Sequence, residues 1–573
     1  MKGILKYYRF YKAKLVLVIV VKVIGTVMDL IIPFLLSFIL DDVLPGIDRG
    51  NLGRIFVYGL LMIVCSGLAF VLSFKANQIA SDIGCHAAER LRNDLFEKAE
   101  KLSLEQIDDI GMPSLISRIS TDTYNENQFY VIMLRLGLRA PVLFVGGIVA
   151  SLILNVRLTL ILLAAIPFIV VLIVLIGKFG IPLFSQVQRT LDDLVRVIRE
   201  DISGIKVIKS LSKEADEQKR FDQINRQVVA LEMKSGKVMN IMNPSVNLIM
   251  NACLTLIILC GAWLYNLNAD YASSGEIIAF ISYFTIILNS MLSLVRIFLT
   301  YSRAKASGER IRAVFFLPER KDESSREVSV HFIEFDSVDF SYNKKERNLS
   351  AIDFTLEKGE TMGILGSTGS GKTTILNLLF RFYSPDRGKI FLNYREVGAY
   401  EQEAISKMTG AVFQNDLLFN MSVRENILFY RDFGEKEVIQ ALYDAQADFV
   451  FDLPEGIDTV LDAKGNNLSG GQKQRILIAR ALIGHPPLIV LDDATSALDY
   501  KTDAKLRKVL RENYADSTQI IVSQRISSLA GCDSVLIVDR GKIVAQGSNE
   551  DLMETSPLYR EIYSSQMGGD ADE

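Results

Sequence analysis

The feature that most constrains this chain is a series of long apolar runs confined to its first half. The clearest run occupies residues 158–179, LTLILLAAIPFIVVLIVLIGKF, and contains no charged residue before Lys178. A helix needs about 20 such residues to cross the hydrocarbon core of a bilayer. Runs of this length therefore predict membrane-spanning helices. We predict six of them, at about residues 14–40, 54–76, 131–154, 158–181, 244–266 and 275–300.

The composition indicates that the chain also contains a second, more polar part. Of its 573 residues, 49% are hydrophobic, yet 23% are charged, which is more than lipid-facing helices alone would carry. The net charge of -4 gives no reason to expect nucleic acid as a partner. The five cysteines and three histidines are scattered without the spacing of a disulfide framework or a metal cluster.

The distribution of Lys and Arg predicts the orientation of the apolar half. The N-terminal stretch MKGILKYYRFYKAK and the long segments after spans two and four are basic, whereas residues 266–276 contain no Lys or Arg. By the positive-inside rule, both ends of this half face the cytoplasm. We therefore expect a multi-pass protein of the cytoplasmic (inner) membrane with both termini in the cytoplasm. The two long basic segments have helical periodicity; we expect them to contact the second half, with solvated loop as the alternative.

Several charged residues lie inside the predicted spans. Lys22 and Asp29 are seven positions apart and share a helical face, and Arg135 and Arg139 are one turn apart in span three. Arg296 lies in span six. Such groups are costly in lipid and usually face a cavity or a partner. Lys22 and Asp29 are thus candidates for lining a cavity, and a position near the membrane surface is the alternative.

The second half contains a phosphate-binding motif. We predict a membrane domain over residues 1–316, a polar linker over 317–329 and an α/β domain over 330–573. From Gly366 the chain reads GSTGSGKTT, between the apolar strand TMGIL and the helix ILNLLF, which is the context that a P-loop requires. Its backbone N–H groups surround phosphate oxygens at a helix N-terminus. Lys372 would meet the β- and γ-phosphates of ATP, and the Thr373 hydroxyl would bind Mg²⁺.

Two further motifs accompany the P-loop. The sequence LSGGQ occupies residues 468–472, and about 20 residues later LIVLDD ends an apolar strand in two acids. Together with six predicted spans on the same chain, these motifs resemble the ATP-binding cassette (ABC) exporters over nearly the whole sequence. The resemblance implies an all-α transmembrane domain of six helices joined to an α/β P-loop cassette. It also implies ATP and Mg²⁺ as cofactors.

The same resemblance assigns roles to individual residues. Tyr342 is similar to the aromatic residue that stacks on adenine, and residues 496–499, SALD, match the D-loop. Asp492 and Gln414 resemble the residues that bind Mg²⁺ together with Thr373. In this family two cassettes meet head to tail, so Ser469 and its motif act on the ATP of the other chain. The implied nucleotide contacts are Tyr342, Gly366, Ser367, Thr368, Gly369, Ser370, Gly371, Lys372, Thr373, Thr374, Gln414, Ser469, Gly470, Gly471 and Gln472.

Two positions depart from the family pattern. Asp493 occupies the catalytic position that is usually glutamate, and Gln524 replaces the switch histidine. Aspartate is one methylene shorter, and misplacement on the order of 1 Å can cost about a hundredfold in rate. Glutamine, unlike histidine, cannot become cationic and stabilise charge on the γ-phosphate. The pattern resembles the degenerate-site subunit of heterodimeric bacterial multidrug exporters.

These features lead to one expected function and to alternatives. We expect half of a heterodimeric exporter of hydrophobic or amphipathic compounds, with a second half-subunit supplying the catalytic glutamate. A homodimeric lipid or peptide exporter in which Asp493 hydrolyses ATP slowly is one alternative. An ATP-gated channel or regulator, in which nucleotide binding biases a conformation, is another.

Overall fold

The computed structural model describes residues 5–43, 52–267, 273–318 and 327–567 of the chain. The chain divides into two compact units. The first comprises Met1–Glu100 and Pro113–Leu317, and the second comprises Lys101–Met112 and Pro318–Glu573. Most of the predicted linker, at residues 319–326, lies outside the described residues.

The first unit is built from helices. Short π-helical segments at Ile39–Val43, Arg118–Asp122 and Met133–Gly137 extend or join some of them. Long helices are the expected solution in a bilayer, because backbone N–H and C=O groups must be satisfied within the segment. The helices are α1 (Leu5–Arg9), α2 (Lys12–Phe38), α3 (Leu52–Glu100), α4 (Leu104–Ile110, assigned to the second unit), α5 (Met112–Ser117), α6 (Thr123–Ile132), α7 (Arg139–Leu154), α8 (Val156–Ser203), α9 (Ile205–Ser210), α10 (Glu214–Asn240), α11 (Met242–Leu267) and α12 (Ser274–Phe315).

The predicted class, a helical membrane domain joined to an α/β domain, is confirmed. Within the described residues, five helical stretches are long and apolar enough to cross a membrane: Lys12–Val43, Gly53–Glu100, Met112–Leu154, Pro244–Leu267 and Ser274–Phe315. The predicted fourth span, residues 158–181, lies within α8, where Val156–Phe168 forms a shorter apolar stretch. Several α8 side chains lie outside the described residues.

The helices extend well beyond the apolar runs. Helix α3 continues from the predicted second span to Glu100, and α8 continues past the predicted fourth span to Ser203. Hydrophobic runs predict where a helix can be buried in lipid, but not where it ends. The polar extension of α8 can remain helical because residues 183–203 contain neither proline nor glycine.

A buried carboxylate joins the π-helical segment Arg118–Asp122 to α12. Asp122 is only 1% exposed and accepts hydrogen bonds from Ser307 Oγ at 2.9 Å and from Arg310 Nε at 2.8 Å. A second guanidinium nitrogen of Arg310 also donates to it. Asn125 Nδ2 donates to the same serine at 3.2 Å. The carboxylate is therefore fully paired with α12, which makes its burial tolerable.

The second unit contains two sheets. The larger has the strand order β10-β9-β3-β8-β7-β6, parallel except for β10, and the smaller antiparallel sheet has the order β2-β1-β4-β5. Every residue of the central strands β7 and β8 is buried, as expected when helices cover both faces. The strands are β1 (Ile333–Phe340), β2 (Leu349–Leu356), β3 (Thr361–Leu365), β4 (Arg387–Leu392), β5 (Arg395–Glu396), β6 (Thr409–Val412), β7 (Leu488–Asp492), β8 (Thr518–Ser523), β9 (Ser534–Asp539) and β10 (Lys542–Gly547).

Helices follow the strands and place loops at one edge of the larger sheet. Ligands of parallel α/β sheets bind at the carboxyl ends of the strands, and β3, β7 and β8 all end at this edge. The helices are α13 (Lys372–Leu379), α14 (Gln402–Met408), α15 (Val423–Leu428), α16 (Glu435–Asp444), α17 (Gly470–Leu482), α18 (Tyr500–Asn513), α19 (Ile526–Leu529), α20 (Asn549–Thr555) and α21 (Pro557–Met567).

We expect the substitution Asp122→Ala to destabilise the first unit by about 1–3 kcal/mol, because it leaves the Ser307 and Arg310 donors without their acceptor. The measurement is the melting temperature of the full chain in detergent. Asp192→Ala, which removes an exposed carboxylate of α8, is the matched control and should leave the melting temperature unchanged. Equal melting temperatures for the two variants would contradict the structural role of Asp122.

Candidate nucleotide site

The site begins at the turn between β3 and α13. Gly371 has φ of 112°, in the left-handed region, and a Cβ there would lie 2.7 Å from Leu349 Cδ2. A Cβ on Gly366 would lie 2.3 Å from the carbonyl oxygen of Val538. Both positions therefore require glycine. The turn leads directly into the N-terminus of α13, where backbone N–H groups without intrahelical partners can bind an anion.

A cavity of about 230 Å³ opens over this turn. It brings together ten residues that the sequence predicted for the site and three that it did not. The predicted ones are Thr368, Gly369, Gly371, Lys372, Thr373, Thr374, Gln414, Asp492, Asp493 and Gln524. The others are Asn348, Val522 and Ser523. Gly366, Ser367 and Ser370 belong to the same turn, and the buried Ser370 hydroxyl has no hydrogen-bond partner among the described residues.

Lys372 is buried at the base of the turn. Its Nζ donates to the carbonyl oxygens of Gly366 and Ser367, both at 2.7 Å. Burial lowers the pKa of the ammonium group, while the nearby carboxylates of Asp492 and Asp493 oppose that effect. A polyphosphate in the cavity would supply the negative charge that favours the protonated lysine.

Thr373 and Asp492 provide oxygen atoms beside the turn. The Thr373 hydroxyl donates to Asp492 Oδ2 at 3.0 Å, and the backbone of Gln414 hydrogen-bonds the same carboxylate. Asp492 is 2% exposed, and this burial raises its pKa. A hard divalent cation prefers such oxygen ligands and would stabilise the charged carboxylate. The residues therefore fit Mg²⁺, which would be held by Thr373, Asp492 and Gln414 and would neutralise phosphate charge.

Asp493 and Gln524 line the same cavity. Asp493 has φ of 51°, and its carbonyl oxygen accepts hydrogen bonds from Ser496 Oγ at 2.9 Å and Gln474 Nε2 at 3.2 Å. Burial raises the pKa of its carboxyl group. The backbone carbonyl of Gln524 accepts a hydrogen bond of 2.8 Å from Gln566 Nε2 on α21. Both loops are thus held at the cavity by hydrogen bonds to their backbone.

Tyr342 lies at one side of the site and is 44% exposed. Its hydroxyl accepts from Asn377 Nδ2 at 3.1 Å, and its ring packs edge-on against Phe340 and Tyr383, with centroid distances of 4.8 and 4.9 Å. The ring is therefore held in place while part of its surface stays open, as a base-stacking platform requires.

Tyr383 extends this arrangement to α4. Its hydroxyl donates to the carboxylate of Asp108, and both burial and this hydrogen bond raise the pKa of Tyr383. Ser103 is the N-cap of α4, and its side chain accepts a hydrogen bond from the Gln106 backbone in a capping box. Tyr383 and Asp108 were not predicted, because neither belongs to a motif and they are far apart in the chain. The inner segment that contains α4 was predicted to contact the second half, and α4 does so.

Comparison with known proteins agrees with this geometry. A family model described as the ABC transporter transmembrane region matches residues 15–291, and one described as ABC transporter matches residues 349–496. An uncharacterised ABC transporter ATP-binding protein of Bacillus subtilis, YfiB, is 34% identical over 554 residues, covering 95% of both chains. Another from B. subtilis, YknU, is 30% identical and covers 99% of this chain and 97% of its own.

The chain belongs to the ABC transporter family. It joins a transmembrane domain and an ATP-binding cassette, and the cassette is an ATPase coupled to transport across the membrane. A bacterial Atm1-family ABC exporter, solved with ATP bound, has the same fold, with a TM-score of 0.84 over 98% of this chain and 99% of that chain at 24% identity. The predicted family resemblance is therefore confirmed.

The LSGGQ motif of this ABC transporter lies outside the cavity that the described residues form. Ser469 is the N-cap of α17; its hydroxyl accepts from the Gln472 backbone at 3.3 Å, and its own N–H donates to Gln472 Oε1 at 2.9 Å. Gly470 and Gly471 begin the first turn of α17. The backbone N–H groups at this N-terminus have no intrahelical partner and can bind an anion. The cassette therefore carries the P-loop turn and the N-terminus of α17 as two separate groups of backbone N–H donors.

We expect Tyr342→Ala to weaken ATP binding about tenfold, because stacking on an aromatic ring contributes about 1–3 kcal/mol per base. Tyr342→Phe keeps the ring and should bind within about twofold of the wild type. The measurement is titration of the full chain with a fluorescent ATP analogue labelled on the ribose. Tyr443→Ala, which removes a tyrosine of similar exposure on α16, is the control. Unchanged affinity of Tyr342→Ala would refute the stacking role.

Proposed function

We propose that the chain is one half of a heterodimeric exporter of hydrophobic or amphipathic compounds. In this proposal it supplies the P-loop side of a degenerate ATP site and the LSGGQ side of an active one. The observation that carries the proposal is that Asp493 and Gln524 share one cavity with Lys372, Thr373 and Asp492. Groups that bind ATP and Mg²⁺ are kept there, and both groups that would drive hydrolysis are altered.

The expected loss of hydrolysis follows from distance and charge. The Asp493 carboxylate is one methylene closer to its backbone than a glutamate would be, and hydrogen bonds to its carbonyl prevent the loop from shifting to compensate. Attack on the γ-phosphate needs a water held in line and donors aimed at the developing charge. Gln524 can donate a hydrogen bond but adds no positive charge. ATP is therefore bound at this site and turned over slowly.

Transport would follow alternating access. ATP closes the two cassettes head to tail, helices such as α4 pass the closure to the membrane helices, and the cavity opens outward. Hydrolysis at the partner's P-loop, completed by Ser469 of this chain, resets the dimer. The basic segments that surround the spans support placement in the cytoplasmic membrane with both termini in the cytoplasm.

Two alternatives make different claims. A homodimer would hydrolyse ATP slowly with Asp493 and needs no partner. A channel or regulator would bind ATP but would not move substrate against a gradient. Turnover by the lone chain separates the first alternative from the proposal, and uphill substrate movement in vesicles separates the second.

We expect the purified chain alone to turn over ATP far below the rate of the same chain co-purified with the exporter half encoded beside it. The physical reason is that only the partner supplies a glutamate and a histidine at the two altered positions. The measurement is phosphate release by both preparations in identical lipid. A lone chain that reaches rates on the order of 1 s⁻¹ would show that it works as a homodimer.

We expect the double substitution Asp493→Glu with Gln524→His to raise turnover by the lone chain, by up to about a hundredfold. The substitution restores the reach of the carboxylate and a group that can carry positive charge. Each single substitution should give a smaller gain. The control is the double variant with Lys372→Ala, which should return to the background rate. A double variant as inactive as the parent, with dimerisation verified by cross-linking, would contradict the explanation.

A further inference from the structure

The membrane unit contains a group of charged side chains that the nucleotide chemistry does not explain. They are Lys22 and Asp29 on α2, Arg135 in the π-helical segment before α7, and Arg139 on α7. Asp29 and Arg139 line a cavity of about 440 Å³ together with apolar residues and with serine and asparagine residues of α12. A volume of this size suits part of a small amphiphile. The mixture of apolar and hydroxyl-bearing side chains suits a ligand with an apolar tail and a polar head group.

Cations outnumber carboxylates in this group. Arg139 Nη2 lies 2.9 Å from Asp29 Oδ2, and this is the one ion pair of the group among the described residues. Lys22 is 3% exposed and donates to Asn77 Oδ1 at 2.9 Å, which is a neutral partner. Arg135 donates to the backbone carbonyl of the same asparagine at 3.4 Å. Three cations are therefore matched by one carboxylate among the described residues of this group.

The excess charge is concentrated in one place. The charges that act on the Lys22 ammonium come from Arg139, Arg135 and Asp29. The Nε atoms of Arg135 and Arg139 are buried without a hydrogen-bond partner among the described residues. Uncompensated cations inside a membrane segment are costly, and they mark substrate or ion pathways. Such a site attracts an anion and repels a cation.

We infer that this cavity binds the acidic head group of an anionic amphiphile, with Arg139 as the residue that contacts it and with Lys22 and Arg135 adding positive potential. The inference rests on the proposed function and narrows its substrate class to amphiphiles that carry a carboxylate, sulfate or phosphate. Asp29 competes with the head group for Arg139, so the site also contains a group that weakens binding and permits release.

The test uses the full chain in nanodiscs of phosphatidylcholine and three fluorescent probes with the same tail. They are dansyl-undecanoic acid, its methyl ester and a dansyl alkyl trimethylammonium of equal length. We expect the acid to bind about tenfold more tightly than the ester, and the ammonium to bind more weakly than either. Because the assay measures binding without ATP, its result is independent of the turnover experiments that test the heterodimer.

Variants locate the site. Arg139→Gln should remove most of the preference for the acid, and Arg139→Lys should keep it. Asp29→Asn should increase affinity for the acid by about threefold, since the competing carboxylate is gone. Arg157→Gln removes a cation of the same unit at the start of α8, away from the cavity, and should leave the preference unchanged. The melting temperature of each variant reports whether it is folded.

Two outcomes would overturn the inference. One is equal affinity of the wild-type chain for the acid and the ester. The other is a preference for the acid that survives in a folded Arg139→Gln variant and is unaffected by Asp29→Asn. A last arm adds phosphatidylglycerol to the nanodiscs. Competition with the acid would assign the site to a lipid head group, and retained affinity for the acid would assign it to a free amphiphile; both support the same head-group chemistry.

Discussion

The turn between β3 and α13 must present backbone N–H groups to a polyanion, and the rest of the cassette is arranged around that requirement. A side chain at Gly366 would collide with the backbone of β9, and a side chain at Gly371 would collide with Leu349 of β2. Strand β8 pairs in parallel with β3, and β7 pairs in parallel with β8, so Asp492 and Gln524 lie at the same edge of the sheet as the turn. A parallel sheet thus converts three distant sequence segments into one site.

Binding and hydrolysis place different demands on that site. Phosphate binding depends on charge and many N–H donors, and it tolerates shifts of a few tenths of an ångström. Hydrolysis depends on one carboxylate and one cationic donor within hydrogen-bond reach of the reacting atoms. In the proposed heterodimer, the changes at Asp493 and Gln524 would therefore slow hydrolysis without weakening ATP binding. ATP that stays bound would still hold the two cassettes together, which would give such a site a use.

The motif residues of the site were predictable because each motif is contiguous and requires particular residue types. Other residues were not predictable, because their roles arise from contacts between distant segments. These are Asn348, Gln566, Tyr383 and Asp108. The apolar runs predicted where helices enter lipid, and five of the six spans are recovered among the described residues. Helix ends were not predictable, since a helix can continue into polar sequence, as α3 does to Glu100.

Charged side chains in the membrane unit differ in how fully their charge is compensated. An intramembrane cation must be paired, hydrated or used, because the low dielectric gives it no other compensation. The pairing of Asp122 is an example: its carboxylate accepts hydrogen bonds from Ser307 and Arg310 of α12. Lys22 and Arg135 instead share one neutral asparagine, and Arg139 has the single carboxylate paired with this group among the described residues. Structural pairing accounts for the first arrangement but not for the second, and an added anion would balance the remaining positive charge.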